Sequence, residues 1–343
     1  MPEYLQGQGI AWMGAQGEPG GWTQGDHCLF PETLGMSDLP VHFFTIVLNG
    51  EPFIRYHLEL FRSLPFAWHW HVVEGVADLK HDTAWSVAGG GRIEGSFHDQ
   101  GRSNDGTSGY LDEIAAAYPD QVTVYRRPQG AFWDGKLAMV RAPLARIKEE
   151  CLLWQVDADE LWTAEQVTRC RELFIANPGK RAAYYWCQFF VGPDHVITTR
   201  NNYGNNSSFE WLRTWRFKPG DRWESHEPPG LFHRFEPWRQ WARLLRRKRL
   251  RPPFKSTDPD VFSHAETEAA GLVFQHLAYV IAPQLKFKET YYGYQGAPER
   301  WQAMLAQKQF PLALKDYFPW VKDEAQVGLA SERGIAPMLR IDG

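Results

Sequence analysis

The chain has 343 residues, with 37 Lys and Arg against 41 Asp and Glu and a formal charge of -4. That length buries a sizeable core, and the acidic balance argues against general affinity for nucleic acid, which leads to an expectation of no nucleic-acid partner. Hydrophobic residues make up 43% and the charges are mixed in sign, which excludes a disordered chain.

Residues 1–40 are Gly-rich and hold no periodic apolar pattern, so they read as a loose N-terminal extension, with Met36 just ahead of the organised sequence. HFFTIVL, His42 to Leu48, has the length and β-branching of a strand covered on both faces. Asn49-Gly50-Glu51-Pro52 then marks a turn and a helix start, with Ile54, Leu58 and Phe61 at helical spacing. WHWHVVEGV, Trp68 to Val76, is a second strand with Glu74 near its end. The β-α-β order implies parallel pairing. A polar segment from Ala77 to Gly109 is long enough to expect a functional loop. A helix over Leu111–Tyr118, a strand at Val122–Tyr125 and a helix across Phe132–Glu150 follow.

LLWQVDADELW, Leu152 to Trp162, is a strand that ends in three acids, Asp157, Asp159 and Glu160. Thr163 caps a helix running to Ile175. Tyr184–Val191 is an aromatic strand, and WLRTWRF and HEPPGLFHRF read as strands and turns. Trp238 to Lys255 is strongly basic, with Trp238, Trp241, Leu244 and Leu245 on one helical face. It suits peripheral contact with an anionic membrane surface, or else a solvated helix or loop. Val273–Ile281 is apolar and interrupted by His276, with helices at Gln284–Tyr294 and Pro298–Gln307. The pattern as a whole is that of an α/β fold, whose ligands bind at the carboxyl ends of the strands. Cys28, Cys151, Cys170 and Cys187 form no CxxC pair and read as reduced. No apolar run reaches transmembrane length and no signal-peptide pattern is visible, so the expected location is cytoplasmic, at most peripheral at the inner face of a membrane.

Like charges gathered at a strand end are tolerated when a cation sits among them. An Asp-x-Asp pair of hard oxygen donors suits Mn²⁺ or Mg²⁺ shared with phosphate oxygens. The plainer reading is a strand-end turn in which Asp157 or Asp159 caps the next helix. Of the 16 Trp, Trp186, Trp211, Trp215 and Trp223 are candidates for an aromatic acceptor wall, and the plainer reading is a Trp-rich core.

The ordered set HFFTIVLNGEPFI, HVVEGVAD and FWDGKLAMVRAPLARIKEECLLWQVDADELWT resembles the GT-A-fold glycosyltransferases of the family 2 type, over roughly residues 41–191. The chain departs from them after the second strand, where no Asp-Gly-Ser-x-Asp run follows Glu74 and the loop is longer. The resemblance implies a mainly parallel GT-A-like sheet flanked by helices. Residues 41–200 would be the nucleotide-sugar-binding half, and 201–343 an acceptor-side elaboration of the same domain. It implies metal-dependent transfer of a sugar to a glycan, lipid-linked or protein acceptor. Asp157 would contact the donor's ribose or sugar, and Asp159 the metal. Val47 to Asn49 and Glu74 would flank the base, and Lys136 would approach the diphosphate or the donor sugar. His276 is a candidate third metal ligand and His226 another. Glu224 and Glu227 are the preferred candidates for the base that deprotonates the acceptor, ahead of Glu210 and Asp194. The alternatives are a nucleotidyltransferase using the same metal site, and an inactive carbohydrate-binding or scaffold protein with the fold.

Overall fold

The computed structural model describes residues 39–79, 84–207, 210–226, 229–232 and 254–340. The expected N-terminal extension up to residue 38, Glu227 and all but the last residues of the basic 238–255 stretch lie outside them.

The chain opens with β1 (Val41–Val47), α1 (Ile54–Arg62) and β2 (Trp68–Glu74). A short helix α2 (Ala84–Ala88) interrupts the long loop, and α3 (Thr107–Ala117) leads into β3 (Val122–Tyr125). Next come α4 (Gly135–Arg141), β4 (Cys151–Gln155), β5 (Glu160–Leu161), α5 (Ala164–Ala176), β6 (Ala182–Tyr184), β7 (Trp186–Gly192) and β8 (His195–Ile197). The rest comprises β9 (Leu212–Phe217), β10 (Arg222–Ser225), β11 (Gly230–Phe232), β12 (Val261–Phe262), α6 (His264–Ala269), β13 (Val273–His276), α7 (Ala282–Tyr292), α8 (Ala297–Leu305), β14 (Leu312–Ala313) and β15 (Gln326–Leu329).

Seven strands form the main sheet in the order β12-β6-β9-β4-β1-β2-β3. β1 pairs in parallel with β2 and β4, and β2 with β3. β9 runs antiparallel between β4 and β6. This is the GT-A-like α/β sheet expected from the sequence. The downstream residues are woven into it, since β9 and β12 belong to the same sheet as β1. A second sheet, β14-β15-β8-β7-β13-β5, stands beside it. No described helix is long and apolar enough to cross a membrane.

Three elements depart from expectation for local reasons. The helix expected to continue to Glu150 ends at Arg141, followed by a 3-10 turn at Pro143–Ala145. Pro143 has no N–H to donate to Met139, so the α-helical ladder stops there. The aromatic strand at 184–191 is two strands, β6 in the main sheet and β7 in the second, parted at Tyr185. The strand from Val273 ends at His276, and helix α7 begins at Ala282. The helix after the acids forms as read: Thr163 accepts from Gln166 N, and Gln166 returns a bond to Thr163 N. Among the described residues, nine of twelve tryptophans are buried, and Trp70, Trp154, Trp162, Trp215 and Trp223 fully so, which makes most of them core.

Candidate functional site

At the carboxyl ends of β1 and β4 lies a cavity of about 700 Å³, a volume usual for small-molecule sites. Val47, Asn49, Lys136, Asp157, Asp159 and His276 line it together. These are residues singled out in the sequence, drawn from four separate stretches of chain.

The DADE segment is held from three directions. His57, fully buried on α1, hydrogen-bonds Ala158 O at 2.9 Å. Burial lowers the His57 imidazole to about 4, which favours the neutral ring. Thr45 Oγ1 donates to Val156 O at 2.7 Å. Leu277 N donates to Asp159 O at 2.8 Å, tying the segment to the end of β13. β13 and β5 pair so that His276 lies opposite Glu160, which puts His276 beside Asp159.

The three acids then divide their partners. Glu160 is fully buried, and Arg213 Nε donates to both its oxygens at 3.0 Å. The same guanidinium gives Nη2 to Asp157 Oδ2 at 3.1 Å, while Gln155 Nε2 reaches Asp157 Oδ1 at 3.1 Å. Burial pushes the Glu160 carboxyl up, opposed by the Arg213 charge. Asp159 Oδ1 lies 3.5 Å from His276 Nε2, and Gln284 Nε2 donates to Oδ2 at 3.3 Å. Burial opposes ionisation of Asp159, but His276 and the Lys288 ammonium outweigh it and hold the carboxyl at about 2.

Two neighbouring ligands of an octahedral Mg²⁺ or Mn²⁺, each about 2.1 Å from the ion, lie about 3 Å apart. Asp159 Oδ1 and His276 Nε2 stand 3.5 Å apart, somewhat wider than that spacing. Asp157 does not join them, because its carboxylate turns to Arg213. Among the described residues no group of three or more His, Cys, Asp and Glu stands ready for a metal. The expected set of Asp157, Asp159 and His276 is thus not assembled as three ligands among the described residues.

Glu74 is also a correction. Its carboxylate is 1% exposed and does not line the cavity. It accepts from Ser103 N at 3.0 Å, from Ser108 Oγ, and from Arg126 Nε at 2.5 Å. These bonds tie the long loop to the end of β2 and engage both carboxylate oxygens away from the cavity. Asn49, in the left-handed region at φ 59, does similar work from the cavity edge: it accepts from Asn104 N at 2.9 Å and donates to Phe97 O at 2.8 Å. Gly50 follows because a Cβ there would stand 2.8 Å from Val47 Cγ2. Lys136 donates to Tyr292 OH at 3.2 Å.

Of the expected bases, Glu224 is outside the cavity lining and pairs with Arg222 at 2.9 Å. Asp194 accepts from Ser331 N at 2.8 Å, a loop contact. Glu210 lines the cavity. Burial raises its carboxyl to about 7, opposed by the backbone bond from Asn206 N at 2.7 Å and by the charge of His276. His226 lines the cavity as well. Of the four tryptophans expected at an acceptor wall, Trp211 alone does so. Trp215 and Trp223 pack against each other inside the core, with ring centroids 4.9 Å apart. The cavity's aromatic flank is instead Tyr203, Tyr279, Phe287, Tyr292, Tyr294 and Trp85.

Arg213 and Lys288 are site residues that sequence reasoning missed. An arginine in the apolar run of β9 was the available signal, since a buried cation needs a buried acid. Lys288 carried no comparable mark. Its burial in the cavity lowers the ammonium to about 8, Lys136 adding to the effect and Asp159 opposing it.

No family model and no curated protein matches the chain. Among solved structures, S. aureus TarS 1-349 aligns at 12% identity and a TM-score of 0.33, over 52% of this chain and 47% of that one. A 4-diphosphocytidyl-2C-methyl-D-erythritol synthase aligns at 14% identity and 0.30, over 53% of this chain and 76% of that one. The chain thus spans about half of TarS 1-349. Likenesses this slight carry no argument about activity, and the GT-A-like fold stands on the strand order and register described above.

Proposed function

We propose that the protein is a transferase that moves a sugar from a nucleotide-sugar donor to an acceptor hydroxyl, assisted by Mn²⁺ or Mg²⁺. The observation that carries this reading is one cavity containing both a strand-end acid pair, Asp157 and Asp159, and a carboxyl raised to about 7, Glu210. In this reading the nucleoside lies over the end of β1, at Val47 to Asn49, with Asp157 near the donor's ribose or sugar. Asp159 and His276 would hold the ion, which would supply positive charge to the diphosphate.

Glu210 takes the proton from the acceptor hydroxyl. The oxygen bonds to the anomeric carbon as the bond from that carbon to the diphosphate breaks, and the nucleoside diphosphate leaves with the electron pair. A base near neutrality is suited to this step, because it is ionised at working pH and still basic enough to accept a proton. Nucleotidyl transfer, the first alternative, releases pyrophosphate instead.

The test is a thermal-shift screen of UDP-, GDP-, dTDP- and CDP-sugars with and without Mn²⁺, followed by product analysis with the stabilising donor. Stabilisation grows as RT ln(1 + [L]/Kd), so the true donor stands apart. Release of a nucleoside diphosphate is expected. Pyrophosphate as the product, or no donor that stabilises the protein, would overturn the proposal.

A further inference from the structure

Among the described residues, the exposed large hydrophobics are Trp85 and Val87, 44% and 55% exposed, and both stand on the short helix α2. Trp85 also lines the cavity. An indole left in water at the edge of a cavity marks a place where a ligand lands.

The chain holds this indole in place. Its ring lies flat on Tyr292, with centroids 5.3 Å apart and planes 9° from parallel. After α2, Gly89-Gly90-Gly91 runs against the end of α7. There Arg92 N donates to Thr290 O at 2.9 Å, and a Cβ on Gly91 would collide with Tyr291 O. A Cβ on Gly293, at φ 75, would collide in turn with Gly89 O. The glycines let the two backbones touch, and that contact sets Trp85 over Tyr292. Tyr292 covers one face of the indole, so the other face is what remains for a ligand.

Rings connect Trp85 to Glu210. Tyr203 is near enough to Glu210 to feel its charge, and its hydroxyl meets Tyr279 OH at 2.6 Å. Tyr279 packs on Phe318 and Phe318 on Trp320, with centroids 5.1 and 4.7 Å apart. Trp320 stacks on Tyr294 at 4.3 Å, and Tyr294 lies 5.8 Å from Tyr292. The aromatic wall therefore runs from the proposed base out to an open ring face. Asn104, Asp105 and Gln284 share the cavity lining. A hydrocarbon tail laid along it would desolvate those polar groups with nothing in return. A pyranose brings hydroxyls for them and C–H bonds for the negative faces of the rings.

We infer that the acceptor is an oligosaccharide, whose reacting end meets Glu210 while a sugar ring further along stacks on Trp85. This rests on the proposed transferase reading and deepens it by naming the acceptor class.

The test is a glycan array of neutral and acidic oligosaccharides probed with the labelled full chain, followed by calorimetry with the free glycan that binds most strongly. Wild type is expected to bind a defined set. Trp85→Ala should weaken the affinity about tenfold or more, as losing a buried aromatic face does. Trp85→Phe keeps a ring face and should stay within about fivefold. Val87→Ala removes the neighbouring exposed side chain, which is outside the cavity lining, and should bind like wild type. Circular dichroism and the thermal midpoint check that each variant is folded. An array on which wild type binds no glycan overturns the inference, and so does a folded Trp85→Ala that binds like wild type. Equal losses in Val87→Ala and Trp85→Ala overturn it too, since they mean a general apolar patch. The two readings fail separately. If no nucleotide sugar stabilises the protein while glycan binding depends on Trp85, the donor assignment falls and the saccharide site remains. If a nucleotide sugar stabilises it and no glycan binds, the saccharide site falls alone.

Discussion

Replacing Glu210 by Gln isolates the proposed base. The carboxyl stands at about 7 against an ordinary 4.5 because it is largely withdrawn from water. At pH 6, one unit below that value, about a tenth of the wild-type enzyme carries the ionised form. kcat/KM should therefore be flat above about pH 8 and fall about tenfold per unit below 7. Glu210→Gln should lower the plateau by about 10²–10⁴-fold and abolish the acid limb. A second, independent readout follows from linkage. A carboxyl raised by folding contributes stability at low pH, fully present below about 4.5 and lost as the pH rises through about 7. The full shift converts to about 3 kcal/mol, and partial solvation of the side chain reduces it to about 1–2. At pH 8 the Gln variant should resist urea better than wild type by that amount, and at pH 4 it should gain nothing. The assays are donor turnover across pH 5.5–9 and urea unfolding at the two extremes. A loss of activity under fivefold, or a variant that keeps the acid limb, refutes the assignment.

Arg213→Met strands Glu160 as a buried, unpaired carboxylate and should cost about 3–5 kcal/mol in chemical denaturation; a cost under 1 would mean that the pair is solvated. Asp159→Asn should remove the part of the nucleotide-sugar thermal shift that Mn²⁺ adds, and an unchanged Mn²⁺ increment would show that the ion sits elsewhere. Far from the cavity, His42, His69 and His71 stack on the opposite end of the sheet, with His42 Nδ1 and His71 Nε2 2.9 Å apart. Burial depresses all three, His69 to about 4 and His71 to about 2, with Glu149 opposing on His42 and Arg146 reinforcing on the other two. The unfolded chain then takes up protons that the fold refuses, so stability is highest above 6.5 and falls as the pH drops from 6.5 towards 4, with His71 contributing about 1.4 kcal/mol per unit. Urea midpoints measured from pH 7 to 4.5 should decline less steeply in His71→Gln, and identical slopes would count against the cluster.

What could be read without coordinates was what depends on local order. The apolar run before Asp157 and the Thr163–Gln166 cap are written in neighbouring residues, and both form as read. The cavity's membership was legible where the motif itself supplied it, at Asp157, Asp159, Lys136 and the end of β1. Glu74 failed because the same strand-end position serves a ligand or a loop equally well, and only the approach of Arg126 and Ser103 decides which. Glu210 and Glu224 are both acids beside aromatic strands, and nothing local separates them. The difference is desolvation, which arises only when β9 meets β4 and β13 is laid alongside. The tryptophans divide likewise: Trp211 stands just ahead of β9 with φ 61 and lines the cavity, whereas Trp215 lies within β9 and is buried in the core.

The position of β9 has a consequence for how the chain is made. β4 ends at Gln155, but its partner on one side begins at Leu212. On a ribosome, roughly 60 residues must still be polymerised after β4 emerges, which takes on the order of 3–12 s. Throughout that interval CLLWQ presents an open hydrogen-bonding edge of buried-type residues, the kind of surface that recruits foreign strands. Translation pauses between codons 156 and 211 would prolong the exposure, and truncation before Leu212 would make it permanent.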